Sequence, residues 1–196
     1  MADAYQLAIA TISVATQLFA VIDPIGAVPL LFNVPDYERR ITKISRLIGV
    51  AVPIILLVFA LMGPYIFSIF GININDFKIA GGIILLIVAI DILRGGTSST
   101  VPINPDDYIL VPIVTPLLVG PGAITSAIIY MTYYPITAVI IGIIISSFFT
   151  YLTVRYSLLL VRIMGQSMLK MIGRFFSLII ASWAVQLIIE GITHFI

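Results

Sequence analysis

Long apolar segments dominate this sequence and restrict the folds open to it. Hydrophobic residues make up 61% of the 196-residue chain and charged residues 10%, whereas a soluble domain carries roughly 25% charged residues. A helix that spans a membrane needs about 20 apolar residues, and six segments of the chain meet that requirement. The sequence therefore predicts an all-α polytopic membrane protein. The six predicted spans are Tyr5–Phe32, Leu47–Phe70, Phe77–Leu93, Tyr108–Met131, Ile136–Val161 and Met171–Phe195.

The basic residues predict how these spans are oriented. Of the ten Lys and Arg residues, all but Lys78 lie on one side of the predicted spans. Because basic residues concentrate in cytoplasmic loops, we expect that side to be cytoplasmic and both termini to lie outside. The plasma membrane is the expected location. No basic stretch precedes the first apolar segment, so a cleaved signal peptide is not expected.

Proline and glycine interrupt the first and fourth predicted spans. The first contains Asp23-Pro24-Ile25-Gly26-Ala27-Val28-Pro29, and the fourth contains Thr115-Pro116-Leu117-Leu118-Val119-Gly120-Pro121-Gly122. Proline removes a backbone donor and glycine loosens a helix, so peptide groups inside each span lose their partners. In lipid such groups persist only where they are buried in protein or line a cavity. A matched pair of broken spans indicates the binding site of a secondary transporter.

The two broken spans belong to an internal repeat. Each half holds three spans, and an odd number of crossings makes the second copy enter the membrane from the opposite side. We therefore predict a first repeat over residues 1–94, a cytoplasmic linker over 95–107 and an inverted repeat over 108–196. A competing shift of 96 pairs Gly26 with Gly122, so the register inside the breaks stays open. The main shift of 92 pairs Pro24 with Pro116, Pro29 with Pro121, Lys78 with Lys170, and Gly81 with Gly173, two glycines expected to permit close helix packing.

The chemistry of the two breaks favours a small zwitterion as ligand. Amide groups at the start of a half-helix attract a carboxylate, and preceding carbonyls or the Asp23 carboxylate could hold an ammonium group. The neighbouring side chains are small or aliphatic, which favours a neutral amino acid. Asp23 could instead cap the half-helix that follows it. The predicted substrate-binding residues are Asp23, Pro24, Gly26, Ala27, Pro29, Thr115, Pro116, Gly120, Pro121, Gly122 and Thr125, with Asp23 also the candidate for ion coupling.

Charged residues outside the breaks allow weaker predictions. Asp91 lies three residues before Arg94, and we expect the two to form an i, i+3 pair. Glu190, near the outer end of the last predicted span, receives no role. Gln17 and Gln186 could line a path or bridge helices.

Several other classes of function fit the sequence poorly. The chain has no cysteine, which excludes disulfides, thiol catalysis and thiolate metal sites. We expect no metal, cofactor or nucleic acid as a partner. An intramembrane serine protease needs a Ser and a His buried together, but His194 lies at the very end. Asp106-Asp107 lacks the second acidic cluster of a metal-dependent lipid transferase. We do not expect an enzyme. A passive channel, an exporter of other small solutes and a structural membrane subunit remain open, as does the oligomeric state.

Four groups of residues carry a resemblance that covers essentially the whole chain. They are Phe19–Pro29, then Gly81-Gly82 with Asp91–Gly95, then Pro116–Thr125, and finally Ala181-Ser182 with Gln186 and Gly191. Together they resemble the MarC family of integral membrane proteins, which includes small neutral amino acid transporters of the NAAT (SnatA-like) group. The resemblance implies six helices, an inverted repeat and proton-coupled transport of glycine, alanine or similar amino acids. Many members carry asparagine at the position of Asp23, so a carboxyl group there favours proton coupling in this chain.

Overall fold

Seven α-helices make up the regular structure within residues 2–32, 36–94 and 118–193, the parts of the chain that the computed structural model describes. The predicted linker 95–107 and the predicted site residues Thr115 and Pro116 lie outside these ranges. The helices are α1 (Ala2–Ile22), α2 (Pro24–Leu31), α3 (Tyr37–Phe70), α4 (Ile74–Leu93), α5 (Pro121–Tyr133), α6 (Ile136–Arg155) and α7 (Ser157–Thr193).

Much of the helical structure is long and apolar enough to cross a membrane. Four segments meet that condition: Ala4–Pro29, Tyr37–Phe70, Ile136–Arg155 and Ser157–Thr193. The helix α4 coincides with the third predicted span, and α5 forms the described part of the fourth. Large apolar side chains such as Ile69 (80% exposed) cover the outside of the bundle, as expected of a surface that faces lipid. The prediction of an all-α polytopic membrane protein is confirmed.

Three helix boundaries differ from the predicted spans by six residues or more. The helix α3 begins at Tyr37 rather than Leu47, and α7 begins at Ser157 rather than Met171, whereas α6 ends at Arg155 before the predicted Val161. Hydropathy marks the part of a helix that lies in lipid, but the backbone hydrogen bonds of α3 and α7 continue into charged turns beyond it. The helix α6 ends early because Tyr156 leaves helical geometry, with a φ of −103° and a ψ of 17°.

Two of the long helices contain residues that disfavour a regular helix. Pro53 and Pro64 lie inside α3 without ending it, although proline removes a hydrogen bond to the preceding turn. The helix α7 is kinked at Gly165, whose φ of 75° and ψ of 158° are open to glycine and strained for other residues. The kink separates a short segment, 157–164, from the main part of the helix, 166–193.

The packing of the helices is related across the two halves of the chain. The helix α2 packs on α7 as α5 packs on α4, and α2 packs on α6 as α5 packs on α3. Two large contacts, α4 with α7 and α3 with α6, each join equivalent elements of the two halves. Two structurally related repeats would produce this pattern, while the inversion and the domain limits stay predictions.

Candidate functional site

The first break lies at Asp23, between α1 and α2. This residue adopts a left-handed backbone conformation, with a φ of 44°. Its N–H donates to the Phe19 carbonyl at 3.1 Å, and its own carbonyl accepts from the Ala27 N–H at 3.1 Å. Its side chain also takes part, because Oδ1 accepts a hydrogen bond from the Gly26 N–H at 3.0 Å. Asp23 therefore caps the start of α2, the second of the two roles that the sequence allowed.

Two prolines leave acceptors at this break without their usual donors. Pro24 is the first residue of α2, and Pro29 lies inside it. Proline has no N–H, so the carbonyls of Ala20 and Ile25, four residues earlier, cannot receive the helical bond. Pro24, Ala27 and Pro29 are buried, as predicted for residues of an internal site, and Gly26 is half-buried.

The second break lies at Gly120, at the start of α5. Gly120 has extended backbone angles (φ −76°, ψ 174°), Pro121 follows as the first helical residue, and no side chain caps the helix. The first helical bond runs from the Ile124 N–H to the Gly120 carbonyl at 3.2 Å. The N–H groups of Gly122 and Ala123 precede this bond, and both residues are buried. They are therefore the donors that the positive end of α5 presents.

The structure brings the two breaks close together. A Cβ atom placed on Gly122 would lie 3.7 Å from Cγ1 of Val21, two residues before Asp23, and 2.7 Å from Cδ2 of Leu85. Glycine at this position therefore lets the start of α5 approach both the end of α1 and α4.

Two further glycines allow α4 and α7 to approach the breaks. A Cβ on Gly173 would lie 2.8 Å from the Gly26 Cα and 3.1 Å from Asp23 Oδ2, and a Cβ on Gly81 would collide with the Thr125 methyl group. The expected close helix packing at these glycines is confirmed. Their partners were missed because sequence does not show which helices meet, although the 92-residue shift that pairs Gly81 with Gly173 was a usable signal.

The carboxylate of Asp23 is buried with little compensation. The residue is 6% exposed, and its second oxygen, Oδ2, faces Gly173 on α7. Among the described residues, the ion pair within 4.0 Å joins Lys78 to Glu190, so no cation of this part of the chain neutralises Asp23. An ionisable side chain within a span is costly and marks a functional position.

The hydroxyl groups near the start of α5 differ in what they can offer a ligand. The Ser126 hydroxyl donates to the Gly122 carbonyl at 2.7 Å, so its proton is already used inside the helix. Thr125 is 5% exposed and turns its methyl group toward Gly81. One turn beyond Ser126, the Tyr130 ring stacks on Trp183 with 5.3 Å between centroids. Aromatic side chains therefore pack farther along α5, about two turns after the break.

Comparison with known proteins identifies the family. The model of the MarC family integral membrane proteins matches residues 9–196. The chain belongs to the MarC family. UPF0056 membrane protein PH0760 of Pyrococcus horikoshii is 38% identical over 184 residues, covering 90% of this chain and 91% of that protein. UPF0056 membrane protein MJ1677 of Methanocaldococcus jannaschii is 33% identical over 192 residues, with coverage of 90% and 93%. No solved structure matches the chain.

A second polar cluster in this MarC family protein lies where the start of α4 meets the ends of α5 and α7. Lys78 Nζ lies 3.4 Å from Glu190 Oε2, and Gln186 Nε2 donates to Glu190 Oε1 at 2.9 Å. The Tyr133 hydroxyl also donates to Glu190, and Lys78 Nζ lies 4.6 Å from the centre of the Tyr133 ring. The cluster therefore joins α4 of the first half to α5 and α7 of the second.

This cluster was missed because sequence reasoning treated each residue alone. The four-residue spacing of Gln186 and Glu190, together with the isolated Lys78, was the available signal. The predicted pair of Asp91 and Arg94 is not formed, since it is absent from the ion pairs within 4.0 Å in the described ranges. Both side chains are exposed at the end of α4, where solvent screening leaves little to gain from pairing.

Proposed function

We propose that this MarC family protein is a secondary transporter of small neutral amino acids such as glycine and alanine. The observation that carries the proposal is the contrast between the two adjacent breaks. One presents a buried carboxylate at Asp23, and the other presents the uncapped first turn of α5. A ligand that carries an ammonium group and a carboxylate a few atoms apart matches this pair.

The substrate carboxylate binds at the start of α5 in this proposal. The N–H groups of Gly122 and Ala123 have no helical acceptor, and the helix dipole adds partial positive charge there. Gly122 has no side chain of its own, so Leu85 and Val21 are the side chains that a ligand would meet beside these donors. Anions bind commonly to helix starts of this kind.

The substrate ammonium group binds near Asp23. The Oδ1 atom of Asp23 accepts the Gly26 N–H, which leaves Oδ2 to accept from a ligand. The Ala20 carbonyl, which lacks a helical donor because Pro24 has no N–H, is a second acceptor in the same turn. Burial penalises an unpaired carboxylate, so either the ammonium group or a proton stabilises Asp23. This alternation is the proposed basis of proton coupling.

Small buried side chains limit the size of the substrate. Ala27 and Val28 follow the first break, and Val119 and Ala123 flank the second; all four are at most 5% exposed. None of them can pair with a charged substrate side chain. The proposed specificity is therefore for the smallest neutral amino acids.

Alternating access would follow from the predicted inverted repeat. Rocking of one half against the other opens a midplane site first to one side and then to the other. The Lys78–Glu190 cluster joins the halves at one end and has to separate when that end opens. We place the protein in the plasma membrane with both termini outside and the basic loops in the cytoplasm, and we propose no enzymatic activity, cofactor or metal.

The decisive experiment is counter-exchange in proteoliposomes. Purified protein should exchange internal unlabelled glycine for external labelled glycine or alanine, with saturation, and a pH gradient should drive net uptake. Lysine, glutamate and phenylalanine serve as matched competitors that should not inhibit. Flux without saturation or counter-exchange would indicate a passive channel, and absence of flux would indicate a structural membrane subunit.

A further inference from the structure

A cleft of about 500 Å³ lies between α3 and α6, away from the two breaks. Its apolar part is formed by Val50, Ile144 and Phe148, which are 59%, 51% and 54% exposed. These side chains lie on the outside of the bundle, where lipid is the surrounding medium. An acyl chain would therefore be the ordinary neighbour of these walls.

The same cleft has a polar end. Arg46 lines it, and the predicted lipid-embedded part of α3 begins at the next residue, Leu47. Among the described residues no carboxylate lies within 4.0 Å of Arg46, since the ion pair found there is Lys78–Glu190. An exposed guanidinium at the edge of an apolar helix segment lies at the depth of lipid headgroups.

Backbone and hydroxyl groups next to Arg46 also lack partners. Gly49 and Pro53 line the cleft, and the Gly49 carbonyl lacks its helical donor because residue 53 is proline. Ser147, which is 2% exposed, has a hydroxyl group without a hydrogen-bond partner in the described part of the chain. Gly49 also keeps α3 close to α6, because a Cβ there would lie 3.0 Å from Cδ2 of Tyr151.

We infer that this cleft binds an anionic phospholipid. Its phosphate would lie on Arg46, because a guanidinium matches phosphate with paired hydrogen bonds. Its acyl chain would lie along Val50, Ile144 and Phe148. Basic pockets between membrane helices recognise anionic headgroups in this way. A second copy of the chain packed symmetrically on this face would bring the exposed Lys43 and Arg46 of α3 toward their own counterparts, and like charges repel.

Native mass spectrometry of the whole protein, released from micelles that contain phosphatidylglycerol or phosphatidylcholine, tests this inference. The wild type should retain phosphatidylglycerol in preference to phosphatidylcholine. Arg46→Gln should lower retention of phosphatidylglycerol about tenfold, as expected for the loss of a charge-assisted contact. Lys43→Gln is the matched control, because Lys43 is an exposed basic residue of α3 that does not line the cleft; it should change retention little.

A second pair of variants tests the apolar part of the cleft without changing charge. Val50→Trp fills the cleft from an exposed position and should also reduce retention, whereas Val58→Trp, at another exposed position of α3, should not. Equal retention of the two lipids, or equal loss in Arg46→Gln and Lys43→Gln, would overturn the inference. So would displacement of the lipid by inorganic phosphate alone, which indicates an anion site, or a protein dimer in place of bound lipid. Each readout is independent of transport.

Discussion

The starts of α2 and α5 look alike in sequence and differ in structure. Both follow a break, and both begin with a proline. At α2, Asp23 turns the chain in a left-handed conformation and its carboxylate accepts the Gly26 N–H at 3.0 Å. At α5, Gly120 is extended and no side chain caps the helix.

This difference shows that one repeated motif can produce two opposite electrostatic sites. The positive end of α2 is already occupied by the side chain of Asp23, so that break contributes a carboxyl group. The positive end of α5 is open, so that break contributes donors. A symmetric pair of uncapped breaks would suit a ligand with two acidic ends, whereas the proposed ligand of this pair is a zwitterion.

The largest loss of glycine exchange is expected from a variant that keeps the two breaks from packing closely together. Gly122→Leu introduces a side chain against Leu85 and Val21 and covers the donors of α5. We expect exchange of labelled glycine to fall at least a hundredfold. Ala80→Leu, at an exposed position of α4, is the size-matched control and should leave exchange intact. If the folded Gly122→Leu protein exchanged glycine at the wild-type rate, the start of α5 would not be part of the substrate site.

Substitution of Asp23 separates its cap from its charge. Asparagine retains an acceptor for the Gly26 N–H and tolerates the left-handed conformation, so Asp23→Asn should keep its melting temperature and lose uptake driven by a pH gradient. Asp23→Ala loses the cap and places alanine at a positive φ, which costs about 1–3 kcal/mol in unfolding free energy.

Melting curves and uptake assays on both Asp23 variants give the comparison. Equal instability of the two would show that the charge itself stabilises the break. Persistent pH-driven uptake in a stable Asp23→Asn protein would exclude Asp23 as the coupling residue.

Giving α5 a cap of its own should make the two breaks alike. Gly120→Asp places a carboxylate before the first turn of α5, where it can accept from Gly122 or Ala123 and repel the substrate carboxylate. We expect glycine to bind about tenfold more weakly, with unfolding free energy changed by only a few tenths of a kcal/mol. Gly120→Asn, which caps without charge, should weaken binding less. If competition assays showed that both variants bind glycine as tightly as the wild type, the uncapped start of α5 would not be the site of the substrate carboxylate.

The smallest effect is expected at the polar cluster that joins the halves. Lys78 and Glu190 have side chains that are 14% and 33% exposed, so Glu190→Gln should cost about 1 kcal/mol or less in stability. It should nevertheless change the balance between the two access states and thus the exchange rate. Gln186→Ala removes one hydrogen bond from an uncharged donor to Glu190 and is the milder control. Unchanged exchange rates in both variants would show that this cluster has no part in the change between the two access states.

The sequence alone determined the features that depend on local composition. Continuous apolar segments require a membrane, and Pro24, Pro29, Gly120 and Pro121 mark the breaks, because a missing N–H or Cβ acts on its own backbone wherever the chain folds. The positions of these breaks were therefore predictable to within a residue or two.

Tertiary structure alone decided which of these features meet. The approach of Gly173 to Asp23, the pairing of Lys78 with Glu190 and the cleft beside Arg46 each join residues on different helices. Such contacts depend on how helices pack, and hydropathy, which is nearly uniform along this chain, does not encode that packing. The sequence also left open whether Asp23 caps the helix that follows it, and only the folded chain shows that the first break carries its own cap and the second does not.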